Sequence, residues 1–138
     1  MIYLASPYTH RESHIRRGRY KAACEIAAKF MEAGEPVFSP ISHGHGICEM
    51  GDVGVDYETW QKVDERLLRA CDLIVVLKLD GWERSRGISA ELKAGTRLGL
   101  GTLFMEPSEF QEILELIQEA REMRERWNGK READKCGS

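Results

Sequence analysis

The sequence predicts a three-layer α/β fold in which helices cover both faces of a short-stranded parallel sheet. Short apolar segments alternate with amphipathic helical segments along the chain, in the order β-α-β-loop-α-β-α-β-α. The strand segments show little polar alternation, which is typical of parallel strands buried on both faces. No internal repeat is visible. Residues 1–127 are therefore predicted to form a single domain, followed by a polar C-terminal tail over residues 128–138.

The first half of the chain begins with a strand, a long helix and a second strand. Ile2–Ala5 is a short apolar segment typical of a buried strand. A helix is predicted from Glu12 to Ala33 because apolar side chains recur on one face, and Gly34 fits the position just past a helix C-terminus. Residues 36–38 are predicted to form the second strand.

Residues 39–55 show no convincing periodicity. The segment contains four glycines, two histidines and a Ser-Pro step. It is therefore predicted to be a loop, and a loop of this length in a compact domain is usually a functional lid or a disordered insert.

The second half of the chain is predicted to contain three helices and two strands. One helix precedes the strand Leu73–Leu77, and its apolar positions are Trp60, Val63, Leu67, Leu68 and Cys71. A second helix opens near Ser85, and the strand Thr102–Met105 follows it. The last helix is predicted from Ser108 to Trp127, with Ser108 and Gln111 in the spacing of a capping box.

Two carboxylates lie inside apolar helix faces. Asp64 is one turn from Trp60 and from Leu67, and Glu91 lies between Ile88 and Leu92. Buried acids are costly unless they are paired or used in chemistry. Their positions on both sides of one apolar strand therefore indicate an active site, although a structural ion pair for Glu91 and backbone hydrogen bonds for Asp64 stay open as alternatives.

Composition indicates an ordinary globular protein that acts on small molecules. The formal charge of −3 gives no electrostatic reason to expect binding to nucleic acid or to a membrane. The four cysteines form no CxxC pair, so they are interpreted as reduced thiols. The chain starts directly with a strand and shows no apolar run of membrane-spanning length, which favours a cytoplasmic location.

Candidate binding residues follow the predicted strands. In open α/β sheets ligands bind at the carboxyl ends of the strands. The residues expected there are Ser6, Pro7, Tyr8, Ser39, His43, His45, Trp82, Ser85 and Gly87. Backbone amides at the start of the helix near Ser85 fit a phosphate, although Ser85 and Gly87 are equally interpreted as a plain helix cap. His43 and His45 lack the further ligands of a closed zinc site, so no metal is expected.

With these residues in place, the chain resembles the nucleoside 2-deoxyribosyltransferase family and its relatives, the 2′-deoxynucleoside 5′-monophosphate N-glycosidases. The opening segment Ile2–Tyr8 resembles the family's first strand and turn, with Ser6 where the family has glycine. Asp64 falls on the family's helix aspartate. The segment from Ser85 to Leu92 resembles the stretch that ends in the family's nucleophilic glutamate, which is Glu91 here.

The resemblance implies a flavodoxin-like, or Rossmann-like, fold and a covalent mechanism without a cofactor. Glu91 would attack the anomeric carbon of the sugar and displace the base, as in retaining glycosidases. Asp64 would orient the nucleophile and the sugar hydroxyls, and Tyr3 would hydrogen-bond near Glu91. Water or a second base would then resolve the intermediate. Family members are dimers or larger, so a homo-oligomer is expected.

One departure from the family pattern bears on the substrate. Transferases that act on free nucleosides carry an acid six residues before the nucleophile, whereas this chain has Ser85, as the monophosphate hydrolases do. Arg84 and Arg86 beside it also suit an anion. The expected reaction is therefore cleavage of the N-glycosidic bond of a (deoxy)nucleoside 5′-monophosphate, with hydrolysis favoured over transfer of the sugar to another base. The alternatives are a glycohydrolase of another nucleotide such as NAD, a non-catalytic nucleotide-binding sensor, and a metal-dependent enzyme that uses His43 and His45.

Overall fold

The computed structural model describes residues 1–137 and has the α/β fold that the sequence predicts. Its strands are β1 (Ile2–Ala5), β2 (Val37–Phe38), β3 (Leu73–Leu77) and β4 (Gly101–Met105). Its helices are α1 (Ser13–Glu32), α2 (Pro40–Met50), α3 (Tyr57–Arg69), α4 (Arg86–Arg97) and α5 (Phe110–Cys136). The strands pair in the order β2-β1-β3-β4 and all pairs are parallel. Helices flank this sheet, which confirms the three-layer, flavodoxin-like class.

The chain forms two compact units, Met1–Pro107 and a second unit that begins at Ser108. The second unit consists mainly of α5, which ends at Cys136 and not at Trp127 as predicted. Residues after Trp127 are mostly good helix formers without proline, so the helix continues into the predicted tail. The last residue of that tail, Ser138, lies outside the described residues. The division into a 1–127 domain and a tail stays a prediction.

The predicted capping box of α5 is wrong. Glu109 occupies the N-cap position, and its side chain caps no backbone amide in the described part of the chain. Ser108 belongs instead to a short 3-10 turn over Pro107–Glu109. Because this turn precedes the helix, α5 starts at Phe110, two residues after Ser108. The spacing of Ser108 and Gln111 does not reveal the turn.

The two central strands of the first unit carry its core. All four residues of β1 are fully buried, as are the last four of β3. On one face, α3 and α4 bury Leu68, Ile88 and Ala94 against alternate residues of β1 and β3. Since the intervening strand residues are equally buried, both faces of the sheet are covered, as parallel sheets require.

Gly95 brings α4 unusually close to the sheet. A Cβ atom at this position would lie 2.3 Å from Cδ1 of Ile74, a fully buried side chain of β3. A larger residue would therefore push the helix outward. Glu91 lies one turn before Gly95 on the same helix face, so the close approach at Gly95 holds the Glu91 side chain against the sheet.

The predicted loop over residues 39–55 is wrong in its first two thirds. Pro40–Met50 is helix α2, in which Gly44 and His45 are buried. Ser39 is its N-cap and accepts a hydrogen bond from the Ser42 amide, and Pro40 follows at the first helical position. That Ser-Pro pair is a standard helix start, and the glycine content hid it. Among residues 1–137, no helix combines the length and the apolar character needed to cross a membrane.

Candidate active site

A cavity of about 530 Å³ lies at the carboxyl ends of β1 and β3, within the size range of small-molecule sites. The loop after β1 contributes Ser6, Pro7 and Tyr8 to its lining. Helices α2, α3 and α4 contribute His45, Asp64 and Glu91, and the start of α4 adds Ser85 and Gly87. Eight residues that the sequence assigned to a site are thus brought together in the lining, as expected for the switch point of an open parallel sheet. Tyr3, a buried residue of β1, is linked to this lining by its hydrogen bond to Glu91.

Three of these residues form what we call the acid cluster: Tyr3, Asp64 and Glu91. The Tyr3 hydroxyl donates a hydrogen bond to Glu91 Oε1 at 2.7 Å. Glu91 is 8% exposed and Asp64 is 9% exposed, which confirms that both acids are buried. In the described part of the chain, no basic side chain forms a salt bridge with either carboxylate. The acids are therefore held in a site of low dielectric without a counter-charge.

Burial perturbs the proton affinities of the acid cluster. Desolvation raises the pKa of Glu91 to about 8, an effect that the Tyr3 hydrogen bond opposes and the charge of Asp64 reinforces. Burial also raises the pKa of Asp64 to about 6. The pKa of Tyr3 is raised by burial and by the two nearby acids, so its hydroxyl stays protonated as a donor. At neutral pH the two carboxyl groups therefore retain about one proton between them, mostly on Glu91.

The Ser6 hydroxyl is the buried polar atom that the protein leaves unsatisfied. Ser6 is 5% exposed, and its Oγ has no hydrogen-bond partner within residues 1–137. An unpaired buried hydroxyl costs about 1–3 kcal/mol. Because Ser6 lines the cavity, a polar group of a bound ligand can remove that cost.

The start of α4 combines a cap with positive charge. Ser85 is the N-cap residue, and its Oγ accepts a hydrogen bond from the Ile88 amide at 3.2 Å. Arg84 lines the cavity beside it and forms no salt bridge with the residues that the structure describes. Arg86 is already paired with Glu58 at 2.6 Å. The helix N-terminus, the Ser85 hydroxyl and Arg84 together form an anion-binding arrangement.

Arg19 ties the two loops of the cavity together. Its guanidinium donates to the carbonyl oxygen of Thr9 at 3.0 Å and to that of Asp80 at 2.9 Å, joining the loop after β1 to the loop after β3. Gly81 adopts a φ of 86°, and a Cβ there would lie 2.9 Å from the Arg19 side chain. Sequence analysis did not assign Arg19 this role. Its partners are backbone atoms far along the chain, which no local pattern reveals.

A second hydrogen-bonded group, which we call the triad, consists of Tyr8, His45 and Glu49. The Tyr8 hydroxyl lies 2.6 Å from His45 Nδ1, and His45 Nε2 lies 3.2 Å from Glu49 Oε1. The ring of Tyr20 stacks on His45, with centroids 4.1 Å apart and planes inclined by 19°. Sequence analysis missed Glu49 because its i,i+4 relation to His45 has meaning only on a helix.

Three residues assigned to the site from the sequence do not line this cavity. Ser39 is buried as the N-cap of α2. His43 is exposed and contacts the rings of Phe38 and Trp60. Trp82 packs against Phe104 and borders a smaller separate hollow.

Two aromatic side chains of α3 complete the lining of the cavity. Tyr57 and Trp60 of α3 line the cavity, and Trp60 Nε1 donates to the Gly54 carbonyl oxygen at 2.8 Å. The six-membered ring of Trp60 packs against Gly44, where a Cβ would lie 3.5 Å from it. Trp60 is therefore fixed in position, as a wall for a flat ligand ring requires. Within residues 1–137, no three or more His, Cys, Asp and Glu side chains are arranged to hold a metal ion.

Comparison with known proteins gives a family but no activity. The family model described as a domain of unknown function (DUF1937) matches residues 1–106 of this chain. The match contains every residue of the acid cluster, of the triad and of the cavity lining named above. No curated protein matches the chain.

Proposed function

The chain belongs to the family described as a domain of unknown function (DUF1937), and we propose that it cleaves the N-glycosidic bond of a nucleoside 5′-monophosphate. The reaction passes through a covalent glycosyl-enzyme intermediate on Glu91, and water releases the sugar phosphate. Transfer of the sugar to a second base is the related outcome when a base replaces water as acceptor. The resemblance to the nucleoside 2-deoxyribosyltransferase family motivates this chemistry.

The observation that carries the proposal is the acid cluster at the cavity wall. Two buried carboxyl groups lie together, and Tyr3 holds one oxygen of Glu91 at 2.7 Å. The other Glu91 oxygen is left for the ligand. An N-glycosidic bond breaks through a cationic, oxocarbenium-like transition state, and a carboxylate pair without a counter-charge stabilises that cation where it forms.

The two steps assign separate roles to the two acids. In the first step ionised Glu91 attacks the anomeric carbon, the bond to the base breaks, and a glycosyl ester forms. Asp64 retains its negative charge beside the developing cation and orients the sugar hydroxyls. In the second step water attacks the same carbon, and the ester electrons return to Glu91. Tyr3 stabilises the carboxylate of Glu91 whenever it is free.

The start of α4 supports a 5′-monophosphate as substrate. Glu91 lies on the same helix as the Ser85 cap, so the helix places an anion site next to the nucleophile. Arg84 adds a charge without a salt-bridge partner in the described part of the chain. A phosphate at this helix start would direct the sugar towards Glu91. The homo-oligomeric state and the cytoplasmic location that the sequence suggests stay predictions.

One observation favours a second candidate, a nucleotide-binding sensor without turnover. Burial raises the pKa of Glu91 to about 8, so at neutral pH this carboxyl group is mostly protonated and acts as a hydrogen-bond donor more than as a nucleophile. A sensor binds a nucleotide tightly and releases no base. Glu91→Gln, which preserves shape and hydrogen bonding, would then leave affinity unchanged.

The deciding experiment measures release of free base by chromatography. Deoxy- and ribonucleoside 5′-monophosphates and the corresponding free nucleosides are incubated with the protein and with Glu91→Gln. Glu25→Gln is the matched control, because Glu25 is exposed on α1 and pairs with the exposed Lys21. Base release from a monophosphate that Glu91→Gln abolishes and Glu25→Gln preserves supports the proposal. Thermal stabilisation by a nucleotide without any product supports the sensor.

A further inference from the structure

The triad connects the cavity to an exposed carboxylate through a buried imidazole. Tyr8 lines the cavity, whereas the Glu49 side chain is 51% exposed. Between them the His45 side chain is 8% exposed and has a partner on each ring nitrogen. A phenol, an imidazole and a carboxylate in this order form a path along which a proton can move by short steps.

Glu49 orients His45 within the triad. A carboxylate oxygen at 3.2 Å from Nε2 accepts the proton of that nitrogen, so Nδ1 is the nitrogen that exchanges a proton with Tyr8. When Nδ1 also carries a proton, it donates to the Tyr8 oxygen, and the Tyr8 hydroxyl proton is then free to point into the cavity. When Nδ1 has lost its proton, the direction of the 2.6 Å hydrogen bond reverses and Tyr8 donates to His45.

The surroundings of the triad suit both states. The Tyr20 ring stacks on the imidazole, with centroids 4.1 Å apart, which holds the plane of His45. Burial and the nearby Cys48 and Glu49 raise the pKa of the Tyr8 hydroxyl, while Arg16 opposes this change. Tyr8 therefore passes a proton on and does not persist as a phenolate.

The position of the triad in the cavity matches that of a departing base. If the phosphate lies at the start of α4 and the anomeric carbon at Glu91, the base occupies the rest of the cavity. Tyr8 and His45 line the cavity together with Trp60, Pro40 and Gly44, which come from the loop after β1 and from α2 and α3 and not from the start of α4. The aromatic ring of Trp60 provides a stacking surface, and the Tyr8 hydroxyl offers an exchangeable proton that is linked to His45.

We propose that Tyr8 is the general acid and general base of the reaction, and that His45 and Glu49 are positioning residues that supply and store its proton. This inference rests on the proposed N-glycosidic cleavage and assigns the proton transfers that the acid cluster leaves open. Glu91 forms the bond to the sugar, and the triad serves the leaving group and the water.

Protons and electrons balance over the two steps. In the first step the electrons of the broken C–N bond pass to the base, which takes the Tyr8 hydroxyl proton, and Tyr8 takes the Nδ1 proton of His45. In the second step the attacking water gives a proton to Tyr8, Tyr8 returns one to His45 Nδ1, and the ester electrons return to Glu91. The products are the free base and the sugar phosphate, and the triad is restored.

The test uses two leaving groups that differ in their need for a proton. An unmodified guanine nucleotide requires protonation of its base, whereas the 7-methylguanine nucleotide of the same sugar releases a neutral base without one. Base release is measured in a single turnover with protein in excess, after subtraction of spontaneous depurination. We expect Tyr8→Phe to slow release of guanine about 100-fold or more and release of 7-methylguanine less than about 3-fold.

Two further variants sharpen the test. Glu49→Gln should also slow release of guanine more than release of 7-methylguanine. The loss on guanine should be smaller than in Tyr8→Phe, about 10-fold, because the imidazolium loses its counter-charge. Glu25→Gln removes another i,i+4 partner at a position outside the cavity lining and should match the wild type. Glu91→Gln should abolish release of both bases. Melting temperatures establish that each variant is folded.

Each result decides between the two proposals. Equal losses on both nucleotides in Tyr8→Phe, or no loss on either, would overturn the proton-transfer role and leave N-glycosidic cleavage standing. Failure of the wild type to release either base would overturn the proposed function, and the role of Tyr8 with it. A selective loss on guanine alone supports both.

Discussion

The acid cluster and the triad differ in the partners that surround their buried ionisable groups. Asp64 and Glu91 have a neutral phenol as their close partner, and burial raises the pKa of each. His45 is buried to a similar degree, yet both of its nitrogens have partners and one of those partners is an exposed carboxylate. In the acid cluster, burial therefore disfavours the ionised form of each carboxyl group. In the triad, hydrogen bonds distribute charge over three side chains.

This difference shows how one cavity can hold two kinds of chemistry. A carboxylate pair without a counter-charge attracts a developing cation, and it costs stability in the unliganded fold. A triad with a compensated charge moves protons at little cost. The predictions below separate these properties, and they run from the largest expected effect to the smallest.

Replacing the nucleophile should have the largest effect. Glu91→Ala should reduce turnover by about 10⁴-fold or more, because no other group can form the glycosyl ester. The fold should persist, since an acid that is buried without a counter-charge does not stabilise it. The measurement is steady-state base release together with thermal denaturation. Near-normal turnover in a folded variant would contradict the assignment of Glu91.

The second prediction concerns the partner acid. Asp64→Asn should reduce turnover about 100-fold without loss of nucleotide binding, because it removes the negative charge beside the developing cation. It should also lower the pKa of Glu91, since the charge of Asp64 helps to raise it. The acidic limb of the pH–rate profile should therefore move to lower pH. A variant that unfolds would instead indicate that Asp64 is structural.

The third prediction is that activity and stability respond to pH in opposite directions. The pKa of Glu91 is raised from 4.5 to about 8 by folding, so the folded state binds more protons than the unfolded chain across that window. Stability should thus fall as pH rises through it, by at most about 1.4 kcal/mol for each pH unit. Asp64 acts in the same direction between 3.8 and about 6.

On the acidic side of its optimum, the rate should rise with pH as Glu91 loses its proton. Urea denaturation at several pH values, compared between the wild type and Glu91→Gln, measures the stability change. The variant should be the more stable protein at alkaline pH. A wild-type stability that increases from mildly acidic to alkaline pH would show that the acid cluster is not protonated by burial.

The fourth prediction addresses the anion site, which belongs to neither group. Arg84→Ala should raise KM for 5′-monophosphates about 10-fold and leave KM for the free nucleosides unchanged, because the lost charge faces only the phosphate. Lys93→Ala is a control, since Lys93 is an exposed cation on α4, the helix that follows Arg84, and lies outside the cavity lining. Equal effects on KM for both substrate classes would show that the phosphate does not bind beside Arg84.

The smallest effect should come from the neighbouring histidine. His43 is exposed and lies outside the cavity lining, two residues before His45 on the same helix. His43→Ala should change turnover less than about 3-fold, whereas His45→Ala should lose about 10-fold or more because Tyr8 loses its proton partner. Equal losses of turnover from the two substitutions would contradict the assignment of a role in proton transfer to His45.

Much of the first unit could be predicted from the sequence because its signals are local. The four strand segments stand out as short apolar runs, and the periodicity around Asp64 and Glu91 predicts their burial. The contact between Tyr3 and Glu91, which the family resemblance implies, is present in the structure. Helix α2 was missed because glycines obscured its Ser-Pro start, although that signal is also local.

Tertiary structure alone decided how these pieces meet. The strand order β2-β1-β3-β4 places the loops after β1 and β3 together, and Arg19 then bonds to a carbonyl 61 residues away. Tyr8 meets His45 across 37 residues, and only the folded chain reveals that the Ser6 hydroxyl has no hydrogen-bond partner among residues 1–137. Local spacing determines which side chains a helix or strand buries. The partners of those side chains depend on strand order and helix packing, which no short stretch of sequence encodes.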